Sequence, residues 1–244
     1  MLKLFTDIGR YLLFMRRVFS RPQRWRIFYS QTLDEMMELG VNSIAIVAIV
    51  SVFVGAVIAI QTALNLMNAP YYMVGLATRD SLILEFCSTM IALILAGKVG
   101  SNIASQIGSM RITEQIDALE LMGLNSACYL ILPKILSMVI FVPFITIFSI
   151  ALGILGGLAG MALTDNLTVS EYIEGIQRDF TPYYVTYSII KSMVFAFILS
   201  SVSAFWGYSV QSGTQEVGRN STRAVVTSCI CILMFNLLLT ELLL

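Results

Sequence analysis

The sequence AGKVGSNIASQIGSMRITEQIDALELMG, residues 96–123, joins two different kinds of chain. Its first half consists of small, almost uncharged residues, as in helices that pack inside membranes. Its second half contains Ile112, Ile116 and Leu119 at spacings of i, i+4 and i+7, which places them on one face of a helix. Charged side chains occupy the rest of that helix, those of Arg111, Glu114, Asp117 and Glu120. The stretch predicts a helix that leaves the membrane, followed by a short amphipathic helix over about residues 110–123.

The composition of the whole chain is that of a membrane protein. Hydrophobic residues make up 57% of its 244 residues and charged residues only 12%, compared with about 25% charged residues in soluble domains. The net charge is zero, which gives no reason to expect a nucleic-acid partner. The chain has no histidine, the commonest general base and a common zinc ligand. Four cysteines without a CxxC pair predict buried small side chains, and neither a disulfide framework nor a metal site: Cys87, Cys128, Cys229 and Cys231.

Five runs of the sequence are apolar enough to cross a bilayer, which takes about 20 residues in a helix. They lie at residues 41–66, 81–104, 135–164, 183–208 and 224–244. Runs of this length indicate helices, because an isolated strand would leave its backbone groups unpaired in hydrocarbon. The sequence therefore predicts an all-α integral membrane protein with about five transmembrane helices, in a transmembrane domain of residues 41–244.

Lysine and arginine are distributed unevenly between the connecting segments. The N-terminal segment holds seven of them, and the predicted segments on the same side of the membrane hold Lys98, Arg111, Lys134, Arg219 and Arg223. The other side has only Arg79 and Arg178. Because positively charged loops stay in the cytoplasm, we expect a cytoplasmic N-terminus and a C-terminus on the opposite side.

The N-terminal segment, residues 1–40, is basic and amphipathic. Four of its residues share one face of a helix: Leu4, Ile8, Tyr11 and Leu12. A basic helix of this kind lies in the membrane interface instead of crossing the membrane. A plain basic flank that only sets the topology is an equally good interpretation.

The sequence GILGGLAG, residues 153–160, contains two overlapping GxxxG pairs. They are Gly153 with Gly157 and Gly156 with Gly160. Glycines four residues apart let helix backbones approach closely, and such packing associates helices in lipid. The pattern predicts a close helix contact, either between two subunits or within one.

The sequence GTQEVGRNS, residues 213–221, has only a superficial likeness to a phosphate-binding loop. Arg219 and Asn220 stand where that motif needs lysine and serine or threonine, and no strand precedes it. We therefore expect neither a nucleotide nor another cofactor in this chain.

Two ionisable residues lie inside predicted spans, where unpaired charges are costly. Glu85 and Lys191 lie at depths of about 6 Å and 9–12 Å from the outer side, at 1.5 Å per residue of helix. The sequence predicts that they form an ion pair, with Glu241 as a rival partner for Lys191. The alternative is that Lys191 reaches outward to water and Glu85 lies in a water-filled space.

Residues 96–123 resemble the signature of the MlaE family, the permease subunits of MCE-linked ABC lipid transporters. Two later segments are similar to that family as well: KSMVFAFILSSVSAFWGY at residues 191–208 and VGRNSTRAVVTS at residues 217–228. The resemblance runs from about Asn42 to the C-terminus.

The resemblance implies a homodimeric, non-catalytic permease in the inner membrane of a double-membraned bacterium. It also implies cytoplasmic ATPase subunits, which bind the ATP, and a ring of MCE proteins on the periplasmic side. The implied cargo is phospholipid, moved between the inner and outer membranes. By the same resemblance, residues 113–120 form the coupling helix that inserts into a groove of the ATPase. We expect it to present the carboxylates of Glu114 and Asp117 and the apolar side chains of Ile116 and Leu119, with Arg111 and Glu120 beside them.

The sequence departs from the family pattern at two places. Many relatives have Arg-Glu-Leu-Gly-Pro where this chain has residues 84–88, LEFCS, so only Glu85 is kept. A headgroup role of that arginine cannot be transferred to this chain. Gln106 also stands where relatives often have glutamate.

A phospholipid path needs an apolar cavity with a few polar groups. Gln61, Thr62 and Asn65 lie near the outer end of the first span, within reach of a headgroup, although they could equally well cap the helix end. Together with Glu85 and Lys191 they are the predicted lipid-path residues.

Two other classes of function are open from the sequence. An intramembrane enzyme acting on lipid would need a nucleophile with a base, or paired carboxylates, and the sequence has no such spacing. A passive channel or scaffold would not need an amphipathic helix outside the membrane. Copurification with an ATPase whose activity depends on this chain distinguishes a transporter from both.

Overall fold

The computed structural model of the protein describes residues 2–20, 25–66, 70, 72–163, 169–211 and 213–244. Within these ranges the backbone is almost entirely helical, and no strand is found. Five helices of the described chain are long and apolar enough to cross a membrane. Each of the five predicted spans falls on one of them, which confirms the all-α membrane fold. Thr164, the predicted last residue of the third span, lies outside the described residues.

Eight helices are numbered here in chain order. The five long ones are α2 (Trp25–Asn65), α3 (Tyr72–Ile112), α5 (Ser126–Ala162), α7 (Pro182–Tyr208) and α8 (Gly213–Leu243). The three short ones are α1 (Leu2–Val18), α4 (Gln115–Leu121) and α6 (Val169–Gln177). Wider π turns interrupt α2 at Met36–Val41 and α3 at Leu82–Phe86 and Ala96–Gly100. Such turns are frequent at functional sites, and the second of them contains Glu85.

Helix α2 begins well before the predicted first span. Its first turns bury Phe28 and Thr32, and the helix continues through the π turn into the apolar run. Residue 40, the predicted boundary of the N-terminal segment, lies inside this helix. Gly40 is buried, and a side chain there would collide with the ring of Phe141 in α5.

Helix α1 packs on the protein through a face that shares only Tyr11 with the face expected to lie in the membrane interface. Its buried residues are Phe14, Met15 and Val18. Tyr11 shares this face: its ring lies edge-on to Phe205 of α7 at 5.7 Å, and its hydroxyl is 2.7 Å from Ser201 Oγ. Ile8 and Leu12 are exposed, and the side chain of Leu4 lies outside the described residues. The predicted face is therefore divided, because Tyr11 packs on α7 whereas Ile8 and Leu12 are turned away from the protein.

The glycines of the two GxxxG pairs form a contact within the chain. A side chain at Gly156 would collide with the backbone of Val52 in α2, and one at Gly160 would meet the backbone of Ala56. A side chain at Gly55 of α2 would in turn collide with the backbone of Gly153. Of the two interpretations left open by the sequence, the structure has packing within one subunit.

Arg79 was assigned to an outer loop by the sequence, but the structure buries it in α3 at 2% exposure. Its guanidinium donates hydrogen bonds to the backbone carbonyls of Ile176 and Arg178 at 2.8 and 2.7 Å. These carbonyls lie at the C-terminal end of α6, where a positive charge is favourable. Arg79 therefore fastens α6 to the transmembrane bundle.

Candidate functional site

A charged cluster lies between α3, α7 and α8. Lys191 Nζ donates a hydrogen bond to Glu85 Oε1 at 2.8 Å, and the lysine side chain is completely buried. This contact confirms the ion pair predicted from the sequence. Among the described residues, Glu241 forms no ion pair with Lys191, and Lys191 does not reach outward to water.

Three polar residues complete the cluster. Lys191 Nζ also donates to Tyr187 OH at 2.9 Å and to Thr240 Oγ1 at 3.2 Å. The second oxygen of Glu85 accepts a hydrogen bond from Asn236 Nδ2 at 3.1 Å. We call Glu85, Tyr187, Lys191, Asn236 and Thr240 the Glu85 cluster. Every charged atom in it has a partner, which is what allows charge to remain inside an apolar bundle.

One side of the Glu85 cluster is open. The Glu85 side chain keeps 38% of its surface exposed, although Lys191 has none. It borders a shallow, open groove of about 470 Å³ on the surface of α3. The other residues of this groove are mainly apolar, with two polar ones at one side: Leu76, Ala77, Leu84, Phe86, Asp80 and Ser81. The cluster can therefore present a carboxylate to a molecule in that groove.

Sequence reasoning missed three members of the Glu85 cluster. Tyr187 is four residues before Lys191, so the two lie on the same face of α7. Asn236 and Thr240 have the same spacing in α8 and are almost the only polar residues in an apolar run. Polar residues spaced by four in a membrane helix are the signal that could have found them.

The other predicted lipid-path residues lie outside this cluster. Gln61, Thr62 and Asn65 are at the end of α2; Gln61 and Asn65 are exposed, and Thr62 is half-buried. None of the hydrogen bonds of the Glu85 cluster described above involves them. Their part in a lipid path stays a prediction.

The predicted amphipathic helix over about residues 110–123 is shorter in the structure. Helix α3 ends at Ile112, and α4 begins at Gln115 after Glu114, whose φ of 57° is left-handed. The Thr113 hydroxyl donates to Ser109 O at 2.9 Å, so the last turn of α3 closes on itself. Because the chain turns at Glu114, Ile112 does not continue the apolar face of α4.

The apolar side chain expected to reach the partner is turned inward. Ile116 is completely buried in this chain, and Leu119 is half-buried. Ile116 therefore cannot insert into a groove of another protein as expected. It anchors α4 to its own bundle instead. The apolar residues that project from this end are Leu121, 90% exposed, and Met122, 67% exposed.

Two of the four predicted charged residues of α4 and its flank are joined to each other. Arg111 Nη1 lies 2.7 Å from Asp117 Oδ1, and both side chains remain well exposed. Glu114 is exposed at the turn. Asp117 and Glu114 are therefore accessible to a partner, although Asp117 already has an arginine beside it.

Glu120 is held by its own chain. Its Oε1 accepts hydrogen bonds from Ser126 Oγ at 2.8 Å and from Tyr208 OH at 2.9 Å. These two bonds lower the pKa of the Glu120 carboxyl, so it is ionised at neutral pH. We call Glu120, Ser126 and Tyr208 the Glu120 clamp, which joins α4 to the first turn of α5 and the last residue of α7.

A second buried lysine was also missed. Lys134, which the sequence assigns to a connecting segment, lies inside α5 at 2% exposure. Its ammonium group binds Glu35 Oε1 of α2 and Gln106 Oε1 of α3, the latter at 2.6 Å. Gln106 thus accepts a hydrogen bond from a lysine that already has a carboxylate. No group of three metal-ligating residues occurs in the described part of the chain.

Comparison with known proteins gives a consistent result. The family model for "Permease MlaE" matches residues 32–242. A "Probable ABC transporter permease protein" of Rickettsia bellii is 33% identical, over 99% of this chain and 93% of that protein. A protein of the same description from Synechocystis is 32% identical, over 92% of this chain and 86% of that protein. Protein TRIGALACTOSYLDIACYLGLYCEROL 1, chloroplastic, of Arabidopsis thaliana is 27% identical, over 92% of this chain and 65% of that protein.

Proposed function

Since the chain belongs to the MlaE permease family and is an ABC transporter permease, we propose that it moves phospholipids between the inner and outer membranes of a double-membraned bacterium. A separate ATPase, the partner that an ABC permease requires, supplies the energy from the cytoplasm. The observation that carries the lipid assignment is the Glu85 cluster, a part-exposed carboxylate beside an apolar groove. A plant relative named after a galactolipid supports a lipid cargo.

The groove has the chemistry that a phospholipid needs. Acyl chains bind apolar side chains such as Leu84 and Phe86, and a headgroup with an amine donates hydrogen bonds to Glu85. Gln61 and Asn65, exposed at the end of α2, are proposed as further polar contacts for the headgroup. Photo-crosslinkers at these two positions should capture phospholipid in the assembled complex. Failure to capture any would remove them from the lipid path.

The proposed surface for the ATPase is the tip formed by Leu121 and Met122, with the exposed carboxylates of Glu114 and Asp117 nearby. Large apolar side chains this exposed at the tip of a helix form a surface that a partner protein can cover. The double change Leu121→Ser with Met122→Ser should leave the chain folded but abolish copurification with the ATPase. Leu163→Ser is the matched control, because Leu163 is 87% exposed just beyond the other end of α5. Normal copurification of the double variant would contradict the assignment.

Two further partners are proposed, a second copy of this chain and an MCE protein, on the basis of the family and of the exposed surface of α8. This helix buries the least of the five long ones, and an apolar stripe remains exposed along it: Val226, Ile230, Leu233, Met234 and Leu237. We propose that a second copy covers part of the stripe and that an MCE protein binds the outer side. The distribution of lysine and arginine supports a cytoplasmic N-terminus and a periplasmic C-terminus in the inner membrane.

Reconstitution tests the proposed function directly. The chain and its ATPase are placed together in liposomes, and the movement of fluorescent phospholipid is measured with and without ATP. We expect movement that needs both ATP and this chain. A complex that hydrolyses ATP but moves no phospholipid would overturn the proposal.

A further inference from the structure

The last turn of α7 contacts several other helices. The ring of Tyr208 packs against Phe14 of α1 at 5.3 Å between centroids, and the Arg111 guanidinium at the end of α3 lies 5.6 Å from its centre. Its hydroxyl donates to Glu120 of α4. Tyr208 of α7 therefore contacts α4 through a hydrogen bond to a charged group. Such bonds are stronger than hydrogen bonds between neutral groups.

The same helix also carries Lys191 of the Glu85 cluster. Lys191 and Tyr208 are 17 positions apart in the chain, which is about 26 Å along a helix that rises 1.5 Å per residue. Proline occurs in α7 only at its first position, and all three π turns lie in α2 and α3. Without a proline or a π turn in its interior, α7 can carry a displacement from one end to the other.

Close backbone contacts line the path of α7 along α3. A side chain at Gly207 would come 2.7 Å from the carbonyl oxygen of Ala104, and one at Gly100 would come 2.8 Å from Ser203 Oγ. Because the residues at these points are small, no large side chain of α7 is interlocked with one of α3 there. Packed helices that shift in switching proteins do so by small sliding movements, which such contacts permit.

We propose that Tyr208 is a positioning residue that transmits movement of α4 to α7, and through α7 to the Glu85 cluster. The proposal rests on the proposed function, in which an ATPase moves α4. The hydrogen bond between Glu120 and the Tyr208 hydroxyl links α4 to α7. Ser126 Oγ at the start of α5 donates to Glu120 and lies 3.1 Å from the same hydroxyl. The Arg111–Asp117 pair joins α4 to α3, and within the described residues it makes no hydrogen bond to α7.

The test removes the hydrogen bond and keeps the packing. Tyr208→Phe retains the ring against Phe14 but loses the hydroxyl and with it the bond. Glu120→Gln keeps a neutral acceptor and weakens the bond by removing its charge. Tyr129→Phe is the matched control, because Tyr129 lies in the first turn of α5 and its hydroxyl has no hydrogen bond within the described residues. A fluorescent amino acid replaces Ile190, which is 40% exposed and adjacent to Lys191.

Each variant is assembled with the ATPase, and the change in fluorescence at position 190 is measured when the ATPase is trapped with vanadate. The number of phospholipids moved for each ATP is measured in parallel. We expect both readouts to fall about tenfold in Tyr208→Phe, equal to about 1.4 kcal/mol of coupling, and to fall less in Glu120→Gln, where a neutral acceptor remains. ATP hydrolysis and copurification should stay normal, and the double variant should be no worse than Tyr208→Phe alone. If Tyr208→Phe does not fold, Glu120→Gln tests the same hydrogen bond by changing its acceptor in α4.

The outcomes separate this inference from the proposed function. A fluorescence change in the unaltered complex without phospholipid movement would overturn the proposed cargo and still support transmission through α7. Variants that respond like the unaltered protein would overturn the inference, as would equal losses in Tyr129→Phe or additive losses in the double variant.

Discussion

The two buried lysines of this protein have similar partners and different surroundings. Lys191 and Lys134 are 0% and 2% exposed, and each binds a carboxylate of another helix. Glu85, the partner of Lys191, is 38% exposed and borders a groove, whereas Glu35, the partner of Lys134, is only 17% exposed. A closed pair can serve only to hold helices together, and an open pair can also meet a ligand. The difference indicates that Lys134 and Glu35 are structural and that Glu85 can act in transport.

The largest expected effect is that of Lys134→Met. This change leaves Glu35 buried without its cation, and breaking a buried pair in this way costs about 3–5 kcal/mol. Lys191→Met should cost less, about 1–3 kcal/mol, because Glu85 keeps its hydrogen bonds and part of its hydration. Denaturant titration in detergent measures both losses of unfolding free energy. An equal or larger loss in Lys191→Met would remove the distinction between the two pairs.

A double-mutant cycle at the open pair sharpens the comparison. Glu85→Gln and Lys191→Met should be less than additive in the double variant, with a coupling of about 1–2 kcal/mol in unfolding free energy. The same cycle on Glu35 and Lys134 should give a larger coupling, because water screens that pair less. Simple additivity at Glu85 and Lys191 would mean that the observed contact contributes nothing to stability.

In transport, unlike in stability, the larger effect should come from changing Glu85 and the smaller one from changing Glu35. Glu85→Gln is expected to lower ATP-dependent phospholipid movement about tenfold, equal to about 1.4 kcal/mol of lost interaction with the headgroup. Glu35→Gln is the matched control, because it lowers stability and leaves the groove unchanged. Movement is expressed per folded complex in liposomes. Equal losses in both variants would show that stability alone explains the effect of Glu85→Gln.

The smallest effect is expected at the exposed Arg111–Asp117 pair. Its side chains are 32% and 52% exposed, and pairs of this kind contribute about 0.2–1 kcal/mol. Asp117→Asn should therefore change the unfolding free energy by less than about 1 kcal/mol, and high salt should abolish the difference. A loss as large as that of Lys134→Met would show that exposure does not decide the contribution of these pairs.

The two ends of α7 show how far the candidate site could be read from the sequence. The Glu85–Lys191 pair could be predicted, because charges in an apolar run are rare and their depths follow from the helical rise. The Glu120 clamp could not, because Tyr208 ends a different span, 88 residues away in sequence. Ile116 was placed correctly on an apolar face, but the sequence does not tell whether that face binds a partner or its own bundle.

The sequence by itself determined the five spans and the all-α membrane class. These properties depend on the apolar length of single segments, which each segment carries within itself. Only the tertiary structure decided that Ile116 is buried while Leu121 projects, that Lys134 binds Glu35, and that the glycine pairs pack within one subunit. Each of these depends on which helices are neighbours, and residues about a hundred positions apart become neighbours only when the bundle has formed.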